Sequence, residues 1–255
     1  MRMTRRPPSQ PERPGRVRQG LSAWTPVALA RAAHPRQALL TTAGVGAVAA
    51  MAGRSTREVG LVLLTVLVGQ VLAGWHNDFV DAARDRSHGR EDKPLATGVV
   101  DRGTLAFAMA CGVLLVVPLS IANGRVAGLT HLVILAVIGL TNAGLLRRTR
   151  YSLVPWMVTF GLLPAYLSYG GWGGDAFGDP PSLLVSLLAA LLGAGVHVLR
   201  SLPRLVDDNK DGARTFPLRI ALRTGAARLM LLAGAYTAVV VGALLIAGLT
   251  VGLSR

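Results

Sequence analysis

The chain has 255 residues, 51% of them hydrophobic, with 30 glycines, one cysteine and a formal net charge of +14. A single cysteine excludes an internal disulfide and a cysteine-based zinc cluster. The basic charge does not point to nucleic acid, because its carriers sit between apolar stretches rather than across a soluble surface.

Residues 1–20 are rich in Arg and Pro with no apolar core behind them, so no cleavable signal peptide is read there. Residues 1–33 are expected to form a basic, disordered arm resting on anionic lipid. Within it, 21–33 reads as a short interfacial helix with Leu21, Trp24 and Val27 toward lipid, or as a loop. From residue 34 to 255 the chain is expected to be an all-α transmembrane bundle. Seven apolar stretches approach the length of about 20 residues that a bilayer core requires: 37–53, 58–75, 103–122, 126–146, 153–172, 182–200 and 226–253. Glycine-rich composition suits helices that approach closely in lipid. Cys111, inside the third stretch, is expected to be a buried structural thiol.

Lys and Arg concentrate in alternate connections. The N-terminal arm and the connections after the second, fourth and sixth stretches hold 23 of the 27, whereas the other side has Arg54, Arg57, Arg125 and Arg255. Positive residues mark the cytoplasmic face. The N-terminus is therefore expected inside and, with seven spans, the C-terminus outside.

Topology does not require acids, yet nine of the 13 Asp and Glu lie in two of those cytoplasmic connections. The first group continues the second apolar stretch: Asn77, Asp78, Asp81 and Asp85. If the helix persists, Asn77, Asp81 and Asp85 share one face. Like charges at that spacing repel, and a divalent cation would resolve the repulsion. Oxygen ligands without cysteine favour Mg²⁺, which bridges carboxylates to substrate phosphates. His76 and His88 read as polar boundary residues. Arg90, Glu91, Asp92 and Lys93 follow, placing cations beside the acids that would hold a diphosphate. The second group, Arg204, Asp207, Asp208, Lys210 and Asp211, follows the sixth stretch and runs into Arg214, Thr215 and Arg219.

These motifs resemble those of the UbiA superfamily of intramembrane prenyltransferases. Its first motif, Asn-Asp-x-x-Asp-x-x-x-Asp, is matched in full at 77–85. Its following basic residues match Arg90 and Lys93, and its basic pair after the fourth helix matches Arg147 and Arg148. Its second motif matches at Asp208, Gly212, Arg214, Thr215 and Arg219. The resemblance implies a Mg²⁺-dependent enzyme that ionises an isoprenoid diphosphate donor and passes the prenyl group to a lipophilic or aromatic acceptor. It implies metal ligation by Asn77, Asp81, Asp85 and Asp208, with Asp78, Asp207 and Asp211 as lesser candidates, and diphosphate binding by Arg90, Lys93, Arg147, Arg148 and Arg204. Asp81, Asp85 and Asp208 are the expected catalytic carboxylates. Trp156 and Tyr166 are candidate lining for the dry chamber that an allylic cation needs.

Two departures stand out. Anchored on residues 212–215, the first Asp of the second motif falls on Arg204, while Asp207 and Asp211 offer a competing register. The family usually has nine helices, so a seven-helix bundle leaves one wall open or to a partner subunit in a homo-oligomer. A terpene cyclase on the same scaffold, a CDP-alcohol phosphotransferase and a non-catalytic homologue are the rival readings.

Overall fold

A computed structural model describes residues 24–171 and 179–253. Among the described residues ten α-helices follow one another: α1 Thr25–Ala32, α2 Pro35–Met51, α3 Thr56–Ser87, α4 Arg102–Ala122, α5 Arg125–Asn142, α6 Val154–Ser168, α7 Leu183–Ser201, α8 Leu205–Lys210, α9 Phe216–Thr224 and α10 Ala226–Thr250. A 3₁₀ turn, Leu202–Arg204, joins α7 to α8. All seven expected apolar stretches fall on helices. Among the described residues five helices are long and apolar enough to cross a membrane: α3, α4, α5, α7 with its continuation, and α10. The other two, α2 with 17 residues and α6 with 15, are shorter. Pro155 sets the start of α6, since proline fits the first helical turn.

Large apolar side chains point outward along these helices, among them Phe107, Leu114 and Leu249, each more than 70% exposed. In water such a surface would aggregate; in lipid it is the solvated face. Cys111 belongs to that face. Expected from its apolar neighbours to be buried, it is instead exposed on α4. An apolar neighbourhood in lipid does not separate inward from outward positions.

Neighbours in the bundle run α2–α3, α3–α5, α5–α6, α6–α7 and α7–α10, while α4 packs outside α3 and α5. Small residues permit the closest approaches. A Cβ at Gly193 of α7 would collide with the backbone oxygen of Trp156 and with Phe160 of α6. A Cβ at Gly74 of α3 would lie 2.7 Å from the Ala33 carbonyl oxygen, so Gly74 lets the α1–α2 corner rest on α3. At that corner His34 adopts a left-handed conformation, φ 54°.

The 32 residues of α3 span about 48 Å at the standard rise, well beyond a bilayer core of about 30 Å. A Ser55–Glu58 capping box starts the helix, and its last turns carry the first acidic motif past the apolar part. Two apolar clusters support that end. Ala28, Ala82, Leu95, Val100 and Leu105 sit beneath the α3–α4 connection. Val198, Leu205, Leu218, Leu229 and Ala233 sit beneath α8 and α9. Both motif-bearing connections are therefore anchored by their own small cores. Of the expected N-terminal arm, 1–23 lies outside the described residues. Residues 25–32 form α1, with Trp24 and Val27 exposed and Ala28 and Ala32 buried.

Candidate functional site: an acid–arginine cluster at the end of an apolar chamber

The helix persists through the first motif, so Asn77, Asp81 and Asp85 do share a face. They line one small pocket together with Arg84, His88, Arg90, Lys93, Arg204 and Asp207. The repulsion expected along that face is met by arginine. Arg147, from the turn after α5, grips Asp81 through two parallel hydrogen bonds, Nη1 to Oδ1 at 2.9 Å and Nη2 to Oδ2 at 2.6 Å. Such bidentate, charge-assisted pairs are among the stronger polar contacts. Asp85 also faces the pocket and, among the described residues, has no ion-pair partner.

Asp78 does something else. One position on from Asn77, it points away from the pocket and is fully buried. Its Oδ1 meets Lys93 Nζ at 2.5 Å and His34 Nε2 at 2.9 Å. A buried carboxylate needs such partners, because removing one leaves an uncompensated charge. The contact ties the α1–α2 corner, α3 and the α3–α4 connection together. Lys93 is itself buried and committed to this clamp, while still bordering the pocket.

The second motif reaches the first through Arg84, whose importance the sequence reading missed. Its Nε donates to Asp211 Oδ2 at 2.6 Å and its Nη2 to Asp208 Oδ1 at 3.1 Å. His88 Nε2 lies 3.2 Å from Asp211 Oδ1, so this histidine belongs to the site rim rather than to a bare boundary. Arg84 holds the Asp211 carboxyl below its ordinary range. Arg90 pairs with Asp207 at 3.1 Å. Arg148 is exposed and donates to the Asp211 backbone oxygen at 2.5 Å. Glu91, Asp92, Arg214 and Arg219 are exposed and line neither cavity. Nothing in the spacing of 77–85 distinguishes Arg84 from any intervening residue; only the fold brings α8 beside it.

A chamber of about 790 Å³ opens beyond the cluster. Val45, Val66, Ile134, Leu163 and Val185 give it apolar walls, and Asn77, Asp81, Arg84, Arg147, Arg204 and Asp208 form its polar end. Trp156 lines it as expected. Tyr166 does not: it is buried in the core among α2, α3, α5 and α6, with its ring 5.1 Å from that of His131. Helical spacing alone does not show which face of α6 turns inward, because that helix is apolar all round. Asp207 borders the small pocket and Asp208 the chamber. Asp211 pairs at the rim.

The donor chemistry of Asn77, Asp81, Asp85 and Asp208, oxygen throughout, fits a hard divalent cation. The arrangement is nevertheless one of ion pairs. Among the described residues no three acids or histidines converge closely enough to hold an ion, and guanidinium groups occupy Asp81 and Asp208.

Solved structures of UbiA homologues share the fold of this chain at low identity. A UbiA homologue from Archaeoglobus fulgidus superposes with a TM-score of 0.66 at 15% identity, covering 89% of this chain and 80% of that one. A UbiA homologue from Archaeoglobus fulgidus bound to Cd²⁺ gives 0.63 at 16% identity, covering 86% and 79%. A digeranylgeranylglyceryl phosphate synthase gives 0.57 at 15% identity, covering 82% and 75%. No curated protein matches the chain. The profile of the UbiA prenyltransferase family matches residues 38–254, so the bundle, its chamber and its two acidic motifs are those of a member of the UbiA prenyltransferase family.

Proposed function

We propose that this chain is a multi-pass membrane prenyltransferase that cleaves an isoprenoid diphosphate and passes the prenyl group to a lipophilic or aromatic acceptor. The observation that carries the reading is an apolar-walled chamber ending on clustered carboxylates and guanidiniums. The chamber takes the isoprenoid tail and the polar end takes the diphosphate. The bond between the prenyl C1 and the diphosphate oxygen breaks, and the electron pair leaves with the diphosphate. A bond then forms from the acceptor to C1, and the acceptor loses a proton. Apolar walls protect the allylic cation from water.

Mg²⁺, held by Asn77, Asp81, Asp85 and Asp208, would supply charge stabilisation to the leaving oxygens. Arg147 and Arg84, released from those carboxylates, turn to the diphosphate, joined by Arg90 and Arg204. Lys93 acts mainly by holding Asp78. The active-site connections face the cytoplasm, following the arginine distribution.

Partner exchange gives a test. Metal and diphosphate each free the groups that the other needs, so their affinities are coupled, and reciprocally. Titrating inorganic pyrophosphate into the purified protein should show weak binding without Mg²⁺. Binding should tighten by about tenfold or more with Mg²⁺, within the ordinary range for coupled sites. Equal affinity with and without Mg²⁺ would count against the assigned metal site.

A further inference from the structure

Helix α1 packs behind the first acidic motif. Trp75 Nε1 donates to the Leu29 carbonyl oxygen at 2.9 Å, Gly74 admits the Ala33 carbonyl, and Asp78 meets His34 at 2.9 Å. Ala28 is fully buried, in the apolar cluster that also holds Ala82, Leu95 and Val100. These contacts run along α3 at positions 74, 75 and 78, while Asn77 and Asp81 turn to the pocket. The position of α1 is therefore built into the support of the site.

The opposite face of α1 has a different chemistry. Trp24 is 66% exposed, and Val27 and Arg31 are exposed with it, at spacings of three and four that put them on one side of the helix. Arg36, in the first turn of α2, is exposed as well. Arg84, Arg90 and Arg147 each hold a carboxylate. Among the described residues Arg31 and Arg36 hold none. An indole, an aliphatic side chain and two uncommitted guanidiniums form the outer face of a helix lying in the headgroup layer, where Trp settles and arginine meets anionic lipid. The surface also runs straight into lipid, because Leu39 and Leu40 of α2 are exposed just beyond it. An acidic protein partner would complement the arginines but not that continuity.

We propose that the outer face of α1 docks on anionic lipid headgroups, and that this contact, carried through the His34–Asp78–Lys93 clamp, tightens the site's hold on diphosphate. The second half rests on the diphosphate reading above. Lipid that holds α1 down keeps His34 on Asp78 Oδ1, the same oxygen that Lys93 takes. Lys93 borders the pocket, and its connection also carries Arg90. When α1 lifts, the buried Asp78 loses one of two partners and that connection loosens. Lipid and diphosphate then favour the same clamped state, so each raises affinity for the other. A negative surface acting only through its field does the reverse, since it repels pyrophosphate. The sign of the lipid effect therefore separates the two.

The full chain is compared in nanodiscs of phosphatidylcholine and of an equal mixture with phosphatidylglycerol. Two signals are read: pyrophosphate affinity with Mg²⁺, and amide hydrogen exchange over residues 25–33. In the wild type the mixture should slow exchange and tighten pyrophosphate binding by about fivefold, the lower end of ordinary coupling between sites. Arg31→Gln combined with Arg36→Gln should remove both responses and leave affinity in phosphatidylcholine unchanged. His34→Gly, which keeps the left-handed corner without steric cost, should retain the exchange response and lose the affinity response. Equal or weaker pyrophosphate binding in the mixture overturns the proposal, as does either response surviving in the double arginine variant. An affinity response that survives His34→Gly overturns the route through the clamp. If soluble polyglutamate reproduces the responses in phosphatidylcholine, the partner is an acidic protein and the lipid assignment falls. Exchange slowing that needs Arg31 and Arg36, with no pyrophosphate binding in either lipid, supports the lipid surface and overturns the diphosphate reading.

Discussion

Asp208 and Asp211 separate two registers of the second motif that spacing alone leaves open. Asp208 faces the chamber, with Arg84 as its partner, whereas Asp211 pairs with Arg84 and His88 at the rim. Asp208→Ala should therefore abolish diphosphate release, and Asp211→Ala should reduce it only several-fold by loosening Arg84. The reverse order in a release assay would assign Asp207 and Asp211 as the metal pair. Resemblance to a family motif made most of these residues legible as candidates. It did not reveal that Asp78 serves a buried clamp, or that His34 and Arg84 complete it and the bridge. Those roles depend on contacts between residues 44 and 127 positions apart, which no local pattern encodes. Like charges at the spacing of Asp81 and Asp85 repel on a bare helix, which by itself would make removal of Asp81 stabilising. With Arg147 in a bidentate grip on Asp81, the loss instead strands a guanidinium near Arg204.

Helix existence was readable because hydropathy and length mark apolar stretches independently of tertiary contacts. Which way each helix faces was less so. Both Cys111 and Tyr166 were misplaced for one reason: helices apolar on every side carry no inward stripe. Close approach leaves a clearer trace, in glycine. The α6–α7 pair depends on Gly193, where any Cβ meets the Trp156 backbone. Gly193→Val should force the two helices apart and shift Trp156 in the chamber wall, at a cost of about 1–3 kcal/mol. Thermal unfolding in detergent should show the loss. An unchanged midpoint would mean that the α6–α7 contact is looser than this structure has it.

For the whole molecule, the arginine distribution predicts which end of the bundle faces the cytoplasm. With Cys111 replaced by Ser, a membrane-impermeant maleimide should label Arg125→Cys in intact cells, and Arg86→Cys only after permeabilisation. Both positions are exposed at opposite ends of the bundle. The opposite labelling pattern would invert the proposed orientation. In the proposed reaction the chamber holds a prenyl tail while the acid–arginine cluster draws off its diphosphate. The direct measurement is to incubate the protein in nanodiscs with labelled geranyl, farnesyl and longer prenyl diphosphates and follow diphosphate release. At least one donor should release diphosphate in a reaction that needs a divalent cation and disappears in Asp81→Ala. Release that is unaffected by chelation and by Asp81→Ala would contradict it.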